Sequence, residues 1–333
     1  MMARITTIDA EALTRKHFGI DGQAVELGGE RTQNFRIRVA NGPTFTLKVS
    51  DPQESIESVL LENAVLLHIE KTAPEISAPR VTSAINGEPI VPVALNDSRY
   101  LRLLTYLEGT PLSSVALSSR ALRQTIGQAI ANLDNALASF DHSYARERDL
   151  IWDVKNISRL REHLLLIEED RRSLAQAMLD RFEARAKPQI AYLPTQAVHS
   201  DMNGQNILIH GEQLAGFLDF GDLVHAPRLV DLAGAALLQI CGEEDDFENA
   251  ADIVSAYHNA SPLSELEFML LPEFMIARCV INVIVTEFLA DNDPANRPYI
   301  MKNNPASWMR LKRLSALSQN PFSTIHQKLR RMP

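Results

Sequence analysis

At 333 residues the chain is long enough for two domains, each with a sizeable core. Hydrophobic residues make up 45% and charged residues 23%, which excludes a disordered or collagen-like chain, and a formal net charge of -9 argues against nonspecific nucleic-acid binding while leaning toward cationic substrates. Two cysteines, Cys241 and Cys279, lie in apolar helical contexts without metal-ligand spacing, which points to buried thiols in a reducing compartment.

The amino terminus, from Met1 to Glu11, holds no apolar run of signal-peptide length, so a cytoplasmic location is expected. The first forty residues then read as a helix, the turn Leu27-Gly28-Gly29 and the start of a β-hairpin. Phe35, Ile37 and Val39 alternate with Arg36 and Arg38, Asn41-Gly42 turns the chain, and Phe45, Leu47 and Val49 alternate with Thr44, Thr46 and Lys48. This period of two sets Lys48 on the face opposite the apolar residues, either solvated or aimed into a cleft.

Asp51-Pro52-Gln53-Glu54 has an N-cap residue, a proline at the first helical position and an acidic residue three beyond the cap. A helix is predicted from there to about Lys71, with Ile56, Val59, Leu60 and Leu67 on its inner side. Glu62 on this helix is the candidate partner of Lys48, with Glu54, Glu57 and Glu70 as competitors. Strand patterns at 80–85, 90–95 and 100–105 complete an antiparallel sheet of about five strands. Tyr106-Leu107-Glu108-Gly109-Thr110-Pro111 breaks the pattern and reads as a hinge.

Beyond Pro111 the period changes to about 3.6. Leu122, Ile126, Ala129, Leu133, Leu137 and Phe140 trace one helix face, and further helices are predicted over 157–167 and 173–186. Two short apolar runs then flank His199-Ser200-Asp201-Met202-Asn203-Gly204-Gln205-Asn206, and Leu218-Asp219-Phe220-Gly221-Asp222 follows. Asp201 stands two residues after His199 and five before Asn206, the spacing of an H-x-D-x-x-x-x-N catalytic loop, and Asp219 occupies the place of a D-F-G aspartate. Phosphoryl transfer uses these residue types: a carboxylate orients and deprotonates the attacking hydroxyl, and a magnesium ion held by few protein oxygens bridges the nucleotide phosphates. An Asn- and Gly-rich turn between buried strands is the alternative reading. Asp231-Leu232-Ala233 begins an apolar helix, and Asp231 is read as structural. The segment Phe274 to Leu289, interrupted by Arg278 and Glu287, is expected to be a buried helix rather than a membrane span.

These motifs resemble the protein-kinase-like superfamily, within it the aminoglycoside phosphotransferase and choline kinase family. Ile151-Trp152-Asp153-Val154-Lys155-Asn156, Leu218 to Leu223 and Glu30-Arg31-Thr32-Gln33-Asn34-Phe35 look most like its hydroxylysine kinase group. The resemblance implies an α+β, bilobal protein-kinase-like fold. Residues 1–107 would form the N-terminal antiparallel sheet lobe that binds nucleotide, and residues 108–333 the larger, mainly helical, catalytic and substrate-binding lobe. It further implies ATP as the phosphate donor, with GTP left open. Asp201 would be the catalytic base, Asn206 and Asp219 the Mg2+ ligands, Lys48 with Glu62 a phosphate-binding pair, and Gly28-Gly29 a turn laying backbone N–H groups over the phosphates.

The expected activity is transfer of the ATP gamma-phosphate to a hydroxyl of a small amino-containing substrate, a hydroxylysine-like amino acid first, with homoserine, choline, ethanolamine and aminoglycosides as alternatives. The reading of another class is a catalytically silent nucleotide-binding module. No nucleic-acid or membrane partner is expected, and the chain is read as a monomer or homodimer. Asp222 and Arg278 are the candidate substrate contacts. A buried guanidinium needs an anionic partner, so Arg278 either pairs with an internal carboxylate such as Glu273 or Asp231 or binds a substrate carboxylate.

Overall fold

Thr6 accepts the Asp9 N–H while the Asp9 carboxylate accepts the Thr6 N–H, a capping box that starts α1 (Thr7–Phe18). The computed structural model describes residues 4–28, 32–95, 97–115 and 118–323. After α1 come β1 (Gln23–Leu27), β2 (Gln33–Arg38), β3 (Thr44–Val49), α2 (Ile56–Thr72), β4 (Val81–Thr82), β5 (Val91–Ala94) and β6 (Ser98–Thr105). The strands form one sheet in the order β1-β2-β3-β6-β4, with β5 also pairing β6. Every pairing in it is antiparallel, and Phe35 lies opposite Leu47 and Ile37 opposite Phe45. The predicted alternation thus buries Phe35, Ile37, Phe45, Leu47 and Val49 with Leu101 and Leu103 on one face. A one-residue slip would turn that whole set to the other face, so burial itself fixes the register.

The sheet has six strands, because Gln23–Leu27 adds an edge strand that its mostly exposed pattern hides in the sequence. Helix α2 also begins later than Asp51: Ser55 is its cap, accepting the Ser58 N–H at 3.2 Å, while the Asp51 carboxylate accepts the Gln53 N–H in the preceding turn. The helix buries Val59, Glu62, Leu66 and Ile69 and leaves Leu60 and Leu67, expected on its inner side, exposed.

The chain divides into two compact units, one of Met1–Gly109 with Ala215–Gly221, the other of Thr110–Leu214 with Asp222–Pro333. The return of residues 215–221 to the first unit is a contribution that a single cut near residue 107 omits. Ser77 anchors this segment: its hydroxyl donates to the Ala215 carbonyl at 2.6 Å, and its carbonyl accepts the Phe217 N–H at 2.9 Å. Gly216 permits the approach, since a Cβ there would stand 2.7 Å from the Ser77 carbonyl oxygen.

The larger unit opens with β7 (Thr110–Pro111), α3 (Arg120–Leu137) and α4 (Ser143–Glu147), followed by a 3₁₀ segment, Val154–Leu166, where an α-helix was expected. Helix α5 (Glu169–Arg185), β8 (Thr195–Val198), β9 (Ile207–His210) and β10 (Gln213–Phe217), which runs on into the smaller unit, lead to β11 (Val224–Pro227). The remainder is helical: α6 (Leu229–Leu237), α7 (Asp246–Ala260), α8 (Glu265–Asn292), α9 (Arg297–Ile300) and α10 (Asn304–Ser315). Strands β8 and β11 pair antiparallel with Val198 opposite Val224, and the 199–206 loop leaves from the end of β8.

A second capping box, Ser264 with Glu267, starts α8 well before the expected segment, and the helix runs through Pro272. Proline cannot donate to the carbonyl four residues back. That carbonyl, of Phe268, is instead satisfied by the Asn320 amide at 2.8 Å. Among the described residues α8 is the one helix long and apolar enough to cross a membrane, and 83% of its apolar window is buried in the protein. Cys279 on α8 is buried as expected, whereas Cys241 is exposed just beyond α6, where the chain leaves the core.

Candidate active site

In the smaller unit Lys48, on β3, faces away from the apolar core, and its Nζ lies 2.6 Å from Glu62 Oε1 on α2 and 3.7 Å from Asp219 Oδ1. Glu62 is therefore the glutamate that Lys48 reaches, rather than Glu54, Glu57 or Glu70. Arg102, a residue the sequence reading missed, lies directly opposite Lys48 across the β3–β6 ladder. Like charges so placed repel. Glu62 relieves the repulsion by taking Lys48 on Oε1 and Arg102 on Oε2, the latter at 2.5 Å, while Arg102 also donates to Asn63 Oδ1 at 3.2 Å. The clue was an arginine in an otherwise apolar strand run, Leu101-Arg102-Leu103, whose charge needs a partner.

Burial pushes the Glu62 carboxyl up, and the Arg102 and Lys48 charges outweigh it, holding its pKa at about 2. Burial likewise pulls the Lys48 ammonium down, but Glu62 and Asp219 more than offset it, so its pKa stands above the ordinary value and it remains charged. Asp219 itself sits at φ 56 with a side chain 60% exposed. Gly28 is exposed at the end of β1, with no atom within 4 Å of where a Cβ would lie; Gly29, with Glu30 and Arg31, falls outside the described residues.

In the larger unit the 199–206 loop turns sharply on Ser200, which holds φ 70. Glycine takes that conformation most cheaply, so a serine there needs outside support. The support comes from Asp231, in the first turn of α6, whose two carboxylate oxygens accept the His199 and Ser200 N–H groups, each at 2.7 Å. The Asp201 N–H then donates to His199 Nδ1 at 3.3 Å. Asp201 Oδ2 accepts from Asn203 at 2.7 Å and from Asn206 at 2.8 Å, and Asn206 also donates to the Asp201 carbonyl at 3.0 Å.

Asp201 Oδ1 is paired with the Arg278 guanidinium from α8. This corrects the internal partners expected for Arg278. Glu273 is engaged by Arg181 and Arg185, and Asp231 by the loop amides, so the arginine turns to the carboxylate of the loop instead. Burial pushes the Asp201 carboxyl up, while Arg278, Asn203 and His199 outweigh it and lower its pKa, which keeps Asp201 ionised. Asp222 ends the short 3₁₀ turn Phe220–Asp222 and is half-buried.

Each unit, taken by itself, offers a hard oxygen donor of the kind a Mg2+ ion takes. Asn206 spends its amide nitrogen on Asp201, which leaves its Oδ1 turned elsewhere, and the Asp219 carboxylate is largely exposed. No cluster of three His, Cys, Asp or Glu side chains fit for a transition metal occurs among the described residues.

The profile of the phosphotransferase enzyme family matches residues 23–266, a span that contains Lys48, Glu62, the whole 199–206 loop and Asp219. The chain belongs to the phosphotransferase enzyme family. Mouse hydroxylysine kinase is 25% identical over 96% of this chain and 92% of its own length. A homoserine kinase of Methylobacillus flagellatus is 29% identical over 81% of this chain and 82% of its own. Among solved structures, the amicoumacin kinase hAmiN in complex with AMP-PNP, Ca2+ and Ami superposes with a TM-score of 0.67 at 13% identity, covering 92% of this chain and 94% of that one. The fold is accordingly the α+β, kinase-like one of this family, and the chain is a small-molecule kinase that phosphorylates a hydroxyl with a nucleoside triphosphate as donor.

Proposed function

We propose that the acceptor is a small hydroxylated amino acid of the hydroxylysine kind, phosphorylated by Mg-ATP in a soluble, cytoplasmic enzyme. Lys48, held by Glu62, would bind the nucleotide phosphates, and Asp219 and Asn206 would hold Mg2+. Bound there, the cation neutralises charge on the phosphates during transfer. Asp201 accepts a hydrogen bond from the acceptor hydroxyl and takes its proton as the hydroxyl oxygen bonds to the gamma-phosphorus and the nucleoside diphosphate leaves. With its pKa lowered, Asp201 is a weak base, which suits a loose transition state in which orientation matters more than early deprotonation.

The observation that carries this reading is the convergence of Asn203, Asn206 and Arg278 on one ionised carboxylate in the loop. Arg278 further favours an acceptor with a carboxylate. It spends Nη2 on Asp201, and its Nε and Nη1 make no hydrogen bond to a described residue, which leaves N–H donors for a carboxylate of the acceptor. Homoserine is the second reading, on the strength of the 29% identical relative, and it too carries a carboxylate.

Initial rates of nucleoside diphosphate release, with Mg-ATP and Mg-GTP, against 5-hydroxylysine, homoserine, choline, ethanolamine and an aminoglycoside test the proposal. Turnover with an amino acid at a kcat/KM at least tenfold above the carboxylate-free acceptors is expected. Preference for choline, ethanolamine or the aminoglycoside would overturn the amino-acid assignment.

A further inference from the structure

Asp231 holds the catalytic loop, and something in turn must hold Asp231, which is completely buried. The residue behind it is Asp134 on α3, equally sealed from water. Tyr257 on α7 donates its hydroxyl to Asp134 Oδ2 at 2.6 Å. The other oxygen, Oδ1, is buried and accepts from no N–H or hydroxyl donor among the described residues, and the Asp231 carboxyl is the hydrogen-bonding group beside it. Two ionised carboxylates cannot be packed together in a dry interior, and an oxygen facing another carboxyl group without a donor marks the place of a proton.

We propose that Asp134 is a carboxylic acid in the folded protein, that it donates its proton to Asp231, and that it thereby acts as a positioning residue for the loop that carries Asp201. The division of labour follows from the partners. Asp231 takes two backbone N–H groups, which favours its anionic form. Asp134 has only a phenol, so it is the member that keeps the proton. The chain of contacts runs from Tyr257 through Asp134 and Asp231 to the His199 and Ser200 amides, and the next residue is Asp201. Among the described residues the other charged or titratable groups that act most on the pair are Arg228, just before α6, and His199, and Arg228 is itself committed to Glu267.

Helix packing makes the arrangement possible. Gly127 and Asp134 are two turns apart on one face of α3, and a Cβ at Gly127 would lie only 2.3 Å from the carbonyl oxygen of Ile253 on α7, one turn before Tyr257. The absence of a side chain at 127 lets α7 come close enough for its tyrosine to reach Asp134.

The test uses the full chain and needs no knowledge of the acceptor. In the folded protein the pair retains a proton that the unfolded chain releases near the ordinary carboxylate value, so wild-type stability falls as pH rises from that value toward the raised one. Asp134→Asn replaces the proton by a permanent N–H donor and lacks this slope. The melting temperature of Asp134→Asn minus that of wild type is therefore expected to rise by several degrees between about pH 5 and about pH 9. In hydrogen exchange at one pH, Asp134→Asn should protect the His199 and Ser200 amides as wild type does, and Asp134→Leu should lose at least tenfold of that protection. A melting difference that is flat with pH, or loop amides deprotected in Asp134→Asn, would overturn the proposal. Should Asp134→Leu fail to fold, the Asp134→Asn measurements decide alone, and neither depends on which acceptor the enzyme uses.

Discussion

Replacing Glu62 by glutamine removes the carboxylate that bridges Lys48 and Arg102 on their shared face. Its folded pKa of about 2, against an ordinary 4.5, corresponds to about 3 kcal/mol of stabilisation at neutral pH. Removing one partner of a buried ion pair costs about 3–5 kcal/mol by an independent route, so the two magnitudes agree. The sign follows from the depressed pKa: the contribution is complete above the unfolded value near 4.5 and is lost as pH falls toward about 2. Glu62→Gln is thus expected to destabilise the smaller unit by about 3 kcal/mol at about pH 7, and by roughly half that or less at about pH 3, where wild-type Glu62 is already losing its advantage. Fluorescence would follow the wrong unit, since Trp152 and Trp308 both lie in the larger one. Hydrogen exchange of peptides from α2 and β3 gives the opening free energy where it matters. Unchanged protection in Glu62→Gln, or a deficit of the same size at both pH values, would refute the ion-pair argument.

The larger unit offers two further tests. Gly127→Ala drives a methyl group against the Ile253 carbonyl and should cost about 1–3 kcal/mol, read as a lower urea midpoint by tryptophan fluorescence; an unshifted midpoint would mean that α3 and α7 are not in the contact described. Arg278→Met should raise KM for a carboxylate-bearing acceptor more than tenfold and leave nucleotide KM unchanged. An unaltered acceptor KM would reduce Arg278 to a partner of Asp201 alone.

How much of this was legible in the sequence depended on how local the information was. The strand register that sends Lys48 away from Phe45, Leu47 and Val49 is written in six consecutive residues, and the spacing that joins Asp201 to Asn206 lies within one loop. The Lys48–Glu62 pair was also within reach, because one turn connects β3 to α2 and few glutamates compete. The sequence was less informative where the deciding contact is long-range. Arg278 meets Asp201 from 77 residues away, and Tyr257 meets Asp134 from 123, distances over which no periodicity carries a signal. Caps misled for a different reason: Asp51-Pro52 and Ser55 both have start-of-helix chemistry. Separately, Leu60 and Leu67 are apolar yet exposed, so residue type alone put them on the wrong face of α2. Asp134 gave no sign at all, since an aspartate in an amphipathic helix looks solvated until the neighbouring helices close over it.

The central claim is that Asp201 serves the acceptor hydroxyl in phosphoryl transfer, and 31P NMR of Mg-ATP with the preferred acceptor tests it most directly. Wild type should convert the gamma-phosphate resonance into that of a phosphate ester. Asp201→Asn, with nucleotide binding intact by thermal shift, should form the ester at least about a hundredfold more slowly. Ester formation by the mutant at the wild-type rate would contradict the account, because the loop, its asparagines and Arg278 would then converge on a residue that the reaction does not use.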